Sequence, residues 1–352
     1  MLELFQRLTA LPHRGSATPN EAQAAQILRE HLESGGFTVQ TQPFKAPRSY
    51  GPELIAICLA LALGGWLEFW PLALLGTYAF WANFSGWWVP WGRLFDRHNS
   101  QNLLSQWGSG PRTLVLMAHY DSAKTYFVYS PRRVKGFRAN FLLNAALATL
   151  MPYATFLPLV PQVLALYFLA QALLLVWREL TAPTVNGAND NASGVAVAVR
   201  LFEELREQPL EGTRVILALT GCEEVGAKGA EFLAQSGQIP RDALVLNIDN
   251  VGRGTLHYAT GEGMLIYHRF RGALQRAAKT QDGAAPLEYR LAYFDTRPFA
   301  ARRMGCLTLI RLEDGLPPHW HWPTDRPENV DWAAVEGTLE YARRLVNAGL
   351  SA

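Results

Sequence analysis

The chain has 352 residues and a formal net charge of +2, so no basic surface of the kind that binds nucleic acid is indicated. That length holds one large domain or two smaller ones with a sizeable core. Cys58, Cys222 and Cys306 form no CxxC pair and no even disulfide set, which points to a reducing compartment, and the opening MLELFQRLTALPHRG lacks the apolar stretch of a secretory signal.

In chain order, PNEAQAAQILREHLESGG predicts a helix with Asn20 as N-cap, an apolar stripe of Ala24, Ile27, Leu28 and Leu32, and Gly35-Gly36 at its end. FTVQTQPF alternates as a strand does. From Leu54 to Gly92 the only charged residue is Glu68, and six of the eleven tryptophans lie between Trp66 and Trp91. RTLVLMA is a short buried-strand run. From Ala139 to Trp177 there is no charge at all. The remainder alternates: helices over SGVAVAVRLFEELREQ, AKGAEFLAQSG and MLIYHRFRGALQRAAKT, strands over TRVILALT, ALVLNI and CLTLIRL, and a closing helix over DWAAVEGTLEYARRLVNAG. Neither an internal repeat nor a low-complexity tail is present. The pattern predicts an α/β fold with a mixed, mainly parallel central sheet flanked by helices, interrupted by two apolar insertions. The soluble parts are 1–52, 93–136 and 178–352; the insertions are 53–92 and 137–177.

Chemistry gathers where the strands end. RTLVLMA runs into His119, Tyr120 and Asp121; TRVILALT into Cys222, Glu223 and Glu224; ALVLNI into Asp249; CLTLIRL into a loop with His319 and His321. Asp190 opens a helix from the small-residue loop NGANDNASG. In open α/β sheets, sites form beyond the carboxyl ends of strands. Adjacent glutamates after a strand are ordinarily a solvated turn. Here they join histidines and further carboxylates whose convergence is costly unless cations are shared. The nitrogen and oxygen donors suit Zn²⁺ and outnumber the needs of one tetrahedral ion; two ions sharing one carboxylate use them all. One glutamate then binds metal and the other takes a proton from the attacking water.

At these residues the chain resembles the co-catalytic zinc exopeptidase family that includes bacterial leucyl aminopeptidases, glutamate carboxypeptidase and the glutaminyl cyclases. The resemblance lies in HYDS (119–122), GANDNASG (187–194), EEVGAKGA (223–230), LNIDNVG (246–252) and HWPTDRPENVD (321–331), with an opening helix and strand before them. It implies a zinc exopeptidase fold and two Zn²⁺ ions. His119 and Glu224 would hold one ion, Asp249 and His321 the other, with Asp190 as the bridge. Glu223 would be the general base, and Asp121 would orient a metal ligand from behind. His321 is preferred to His319 because an H-x-x-x-D run begins there, leaving His319 at the cleft rim. Asp295, in FDTRPF, falls where the family has an acidic residue near the substrate pocket. The implied activity is hydrolysis of the N-terminal peptide bond of short peptides, an aminopeptidase reaction. FDTRPF and the Trp-His before the last ligand also resemble glutaminyl cyclases, which makes zinc-dependent acyl transfer the alternative. A further alternative is an inactive scaffold or receptor of the same fold.

The insertions carry a separate expectation. Each is long enough for two helices, Leu54–Trp70 with Pro71–Trp88, and Phe137–Met151 with Val160–Trp177, the latter turning through Pro152, Pro158 and Pro161. Almost no polar face is left for water. Tryptophans at the ends fit a membrane interface, although the helices are short for a full span. Arg93, Arg97, Arg132, Arg133, Lys135, Arg138 and Arg178 flank the soluble parts, while the turns carry no Lys or Arg. The expectation is a multi-pass membrane protein embedded in the lipid bilayer, with its catalytic domain facing the cytoplasm.

Overall fold

The short apolar runs become the strands of a nine-stranded sheet in the computed structural model, which describes residues 1–350. Helices α1 (Leu2–Thr9) and α2 (Pro19–Ser34) precede strand β1 (Val39–Ala46), and an apolar pair follows, α3 (Gly51–Trp66) and α4 (Trp70–Ser85). Strands β2 (His98–Trp107) and β3 (Arg112–His119) lead to a second pair, α5 (Phe137–Ala154) and α6 (Val160–Thr181). Next come α7 (Gly194–Glu207), β4 (Thr213–Thr220), α8 (Lys228–Gln235), β5 (Leu244–Ile248), β6 (Thr255–Glu262), β7 (His268–Arg269), α9 (Ala273–Thr280), β8 (Ala285–Tyr289), α10 (Arg297–Ala301), β9 (Gly305–Leu312) and α11 (Trp332–Leu350).

The sheet runs β1-β2-β4-β3-β5-β9-β6-β7, with β8 beside β6. Its centre, β4-β3-β5-β9, is parallel, and antiparallel pairs flank it on both sides. Strand β3 lies in the middle and has no solvent face. Leu114 and Leu116 join the cluster under α2, α7 and α11, while Val115 and Met117 join the one on the opposite face with α8. Burial on both faces is why such a strand reads as an unbroken apolar run.

Two local expectations change. Thr18, not Asn20, caps α2: its side chain accepts from Glu21 N–H and Pro19 takes the first helical turn, where its missing N–H costs nothing. The helix expected over MLIYHRFRGALQRAAKT forms only from Ala273. Its first half supplies β7, paired with the end of β6, and Gly272 at φ 107° separates the two.

In the apolar segments, α3 packs against both α4 and α6, and α4 against α5. Gly64 makes the first contact close: a Cβ there would stand 2.5 Å from the backbone nitrogen of Ala73. Helix α5 passes through Pro152 to Ala154 instead of ending at Met151. Proline cannot donate to the carbonyl one turn back, at Ala148, and that carbonyl instead accepts from Thr77 Oγ1 on α4 at 2.6 Å. The far turns touch through Gln162, which donates to Glu68 at 2.7 Å. Outward faces remain apolar, with Leu166, Leu173 and Leu180 more than half exposed. Among the described residues, α6 is the one helix long and apolar enough to cross a membrane; α3 is apolar but shorter.

Arg178 is not a free flanking charge. It is fully buried at the end of α6, donating to the carbonyls of Lys124 and Thr125, to Ser49 Oγ and to Glu179, with its guanidinium 4.1 Å from the Tyr50 ring. It ties the second apolar pair to the segment that follows His119.

Candidate metal centre

Parallel register brings the strand ends level. His119 at the end of β3 lies opposite Thr220 at the end of β4, and Ile248 at the end of β5 opposite Leu309. The residues just beyond therefore meet at one edge of the sheet: His119, the Cys222–Glu224 turn, Asp249 and the loop after β9. The Asp190 loop closes the group at the start of α7.

Asp190 is at the centre. Its Oδ1 is 3.2 Å from His119 Nε2 and its Oδ2 is 3.3 Å from His321 Nε2. His119 Nε2 is also 3.5 Å from Asp249 Oδ1, and His321 Nε2 is 3.0 Å from Glu224 Oε2. The direct contacts thus group His119 with Asp249 and His321 with Glu224, whereas the resemblance paired His119 with Glu224 and Asp249 with His321. Strand order alone does not choose between the groupings, since β3 is hydrogen-bonded to both β4 and β5; the grouping is set by how the turns beyond the strands aim their side chains. Because Asp190 stands between the two groups, His119, Asp190 and Glu224 also offer ligand atoms all within 4.8 Å of one another.

Asp121 is fully buried behind His119. Its carboxylate lies 3.3 Å from His119 Nδ1 and accepts from Glu223 N–H at 3.0 Å, Glu224 N–H at 3.2 Å and Ser16 Oγ at 2.6 Å. One side chain therefore sets both an imidazole and the glutamate turn. Glu223 lines the adjoining cavity. Burial pushes its carboxyl well above the ordinary range; His119 opposes this, and Asp295 adds to it. Burial favours neutral Asp190 as well, yet the bonds from His119 and His321 hold its carboxyl below the usual range.

The residues fit a metal. Two imidazoles and three carboxylates of the Asp190 group are packed together with Glu223, and Glu224 Oε1 is buried without a hydrogen-bond partner. The nearest cation, Arg14, spends its guanidinium on the carbonyls of Tyr120, Asn186 and Gly187. So many buried carboxylates need another positive charge, and the nitrogen and oxygen donors are those zinc takes.

Asp295 and His319 stand elsewhere. Neither lines the cavity. Asp295 is fully buried beside the site and accepts from Thr220 Oγ1, while the His319 ring is 2.8 Å from Thr324 Oγ1.

Three further residues position the site. Arg14 bridges the end of β3 to the Asp190 loop; Gly187, at φ 76°, leaves room for it, since a Cβ there would come within 2.9 Å of its Nη2. Glu21 accepts from Cys222 N–H, Ala17 N–H and Ser100 Oγ, which holds Cys222 at φ 56°, and burial pushes its carboxyl up to about 8. Asp325 accepts from Asn189 N–H at 2.6 Å and Asp190 N–H at 3.1 Å. It is the aspartate of the H-x-x-x-D run, the one signal in the sequence that could have found it.

Asp325→Ala strands two buried N–H groups, each costing about 1–3 kcal/mol. The expected result in thermal unfolding is a Tm several degrees lower, together with about 10–100-fold weaker metal binding. Asp325→Asn, which keeps one acceptor, recovers part of both losses.

Comparison with known proteins agrees with this architecture. A zinc aminopeptidase from Bacillus subtilis superposes with a TM-score of 0.60 at 13% identity over 98% of this chain and 93% of that one. A glutaminyl cyclase from Tannerella forsythia gives 0.60 at 15% identity over 100% and 97%. A Zn-dependent exopeptidase from Parabacteroides distasonis gives 0.58 at 12% over 99% and 95%. At these identities the likeness shows the fold. The sequence profile described as Peptidase family M28 matches residues 102–346, more than half of the chain and all five residues of the Asp190 group. The chain belongs to peptidase family M28, and is by that membership a zinc metallopeptidase.

Proposed function

We propose that the protein is a membrane-associated di-zinc aminopeptidase acting on short peptides. The observation that carries the zinc chemistry is the Asp190 carboxylate, with one oxygen toward His119 and Asp249 and the other toward His321 and Glu224. His119, Asp249, Asp190, His321 and Glu224 would hold the zinc, with His119 and Asp249 on one side of Asp190 and His321 and Glu224 on the other. Two zinc ions there would supply the Lewis acidity that polarises the scissile carbonyl and acidifies a water. Glu223 takes the proton of the attacking water and delivers it to the leaving nitrogen. Asp121 keeps the His119 ring and the glutamate turn in register while this happens.

The membrane part rests on the exposed leucines of α5 and α6, on the length of α6 and on the exposed Arg93, Arg97, Arg132, Arg133 and Lys135 at the catalytic side. Helices of 16 residues span about 24 Å, short of a full bilayer, so α3 and α4 would enter a thinned or tilted region. The two helix pairs are then insertions into one catalytic domain that stays on the cytoplasmic side.

Purified protein is expected to carry two zinc ions and to cleave leucyl p-nitroanilide, with loss on chelation and recovery on adding zinc. Cyclisation of an N-terminal glutaminyl peptide without anilide cleavage would instead identify a cyclase, and protein with neither metal nor activity would identify a scaffold. In carbonate-washed membranes the protein is expected to stay in the pellet; full release as an active, monodisperse protein without detergent overturns the membrane part.

A further inference from the structure

The cavity that begins at Glu223, Glu224 and His321 does not end within the catalytic domain. It has a volume of about 230 Å³ and continues between the apolar helices, where Ile57 of α3, Phe80 of α4, Phe141 of α5 and Leu175 of α6 form its walls. Along α5 the lining runs from Phe137 to Asn144, a rise of about 10 Å. The Phe137 end is fixed beside the metal centre: its ring lies 5.1 Å from that of Trp320, which in turn lies 5.2 Å from that of His321. A leucine side chain reaches less than half of that depth.

The walls are uncharged. Among the described residues no lysine, arginine or aspartate lines the cavity, and its only carboxylates are Glu223 and Glu224 at the base. A substrate ammonium carried along it would find no anionic partner beyond those two, whereas an alkyl chain would be desolvated at no ionic cost. Away from His321, the other polar groups of the lining are neutral: tyrosines, Asn83 and Asn140, and at the far end the carboxamides of Asn144 and Gln171. Asn144 accepts from Tyr167 of α6 at 3.1 Å, and Gln171 lines the cavity one turn further along that helix.

α3 packs closely on α4 and α6, whereas α5 and α6 are joined more loosely, with the Tyr167–Asn144 bond between them, and these two helices carry exposed Leu142, Leu143, Leu166 and Leu169.

We infer that the helix cavity takes a long unbranched acyl chain, and that the protein hydrolyses N-acyl amino acids in addition to peptides. The inference rests on amide hydrolysis at Glu223, the chemistry of the proposed function, and adds a substrate class to it. The oxygen of one water bonds to the acyl carbonyl carbon, the C–N bond breaks, and Glu223 moves one water proton to the leaving nitrogen. The products are a fatty acid and a free amino acid, with no change of oxidation state.

The test uses the zinc-loaded full chain in phosphatidylcholine nanodiscs, given N-acetyl-, N-octanoyl- and N-dodecanoyl-phenylalanine, with leucyl p-nitroanilide measured in parallel. kcat/KM is expected to rise at least about tenfold from the acetyl to the dodecanoyl substrate. Asn144→Trp, which fills the far end, is expected to lower the dodecanoyl-to-acetyl ratio by at least about tenfold, and Gln171→Trp does the same should the first variant lose its zinc or its fold. Anilide cleavage with no N-acyl cleavage, or with a flat chain-length series, overturns the inference and leaves the peptidase reading standing. N-acyl cleavage that rises with chain length, without anilide cleavage, supports the inference and overturns the aminopeptidase reading.

Discussion

Glu223→Gln abolishes hydrolysis, by at least about 10²–10⁴-fold in kcat, while the protein keeps its zinc. The substitution leaves shape and volume almost unchanged and removes only the ability to accept a proton. Glu223 makes none of the direct contacts that join His119, Asp190, Asp249, Glu224 and His321, so the donor set is untouched. Its backbone N–H still donates to Asp121, and the turn keeps its form. Glu224→Gln behaves oppositely: it sits 3.0 Å from His321 Nε2, and the variant loses zinc before it loses anything else. Metal analysis beside single-turnover kinetics separates the two. Retention of zinc by the Glu224 variant and its loss from the Glu223 variant would exchange the roles of these neighbours.

In the proposed di-zinc site, Asp190→Ala is expected to remove both ions together. Each carboxylate oxygen faces a different histidine, so alanine removes the oxygen from both sides at once. Even residues that only support a ligand cost up to about 100-fold in metal affinity, and a shared ligand costs more. Zinc titration of the variant is expected to show both sites weakened in parallel, with activity lost at ordinary zinc concentrations. Asp249→Asn and Glu224→Gln, by contrast, each weaken one site. Combining His119→Ala with Asp249→Asn is expected to lose less than the sum of the two, because in the proposed site they would share an ion, while His119→Ala with Glu224→Gln is expected to be closer to additive. Equal coupling in both double variants would contradict the grouping seen in the contacts.

That these residues would gather at one edge of the sheet was legible in the sequence because of where they sit. A run such as RTLVLMA or ALVLNI announces a buried parallel strand, and the polar group that ends it is forced to the carboxyl edge of the sheet. His119 and Asp249 follow from that alone. The grouping of their contacts did not follow, because β3 adjoins both β4 and β5 and the side-chain contacts beyond the strand ends decide it. Nor did the supports. Arg14 acts on carbonyls at Tyr120 and Gly187, and Glu21 acts on Cys222, all far along the chain and without a local pattern. Asp295 illustrates the reverse case: a motif position suggested a substrate contact, and the side chain turned inward to Thr220. The apolar helices were plain from composition, but the Thr77 bond that lets α5 run through Pro152 joins two helices and has no trace in either one.

The chain order of these parts governs how the enzyme comes into being. Strand β3 and His119 are synthesised between the two apolar pairs, and Asp190, Glu224, Asp249 and His321 only after the second. As the ribosome delivers α5 and α6, His119 has no partner with which to trap an ion. The apolar segments thus precede most of the donor set in the chain, and Arg178, at the end of α6, has its Lys124 and Thr125 carbonyl partners already upstream of it and upstream of the Asp190 loop. In chain order the donor set is complete only with His321, so a chain that stops short of it lacks one of the five residues of the Asp190 group.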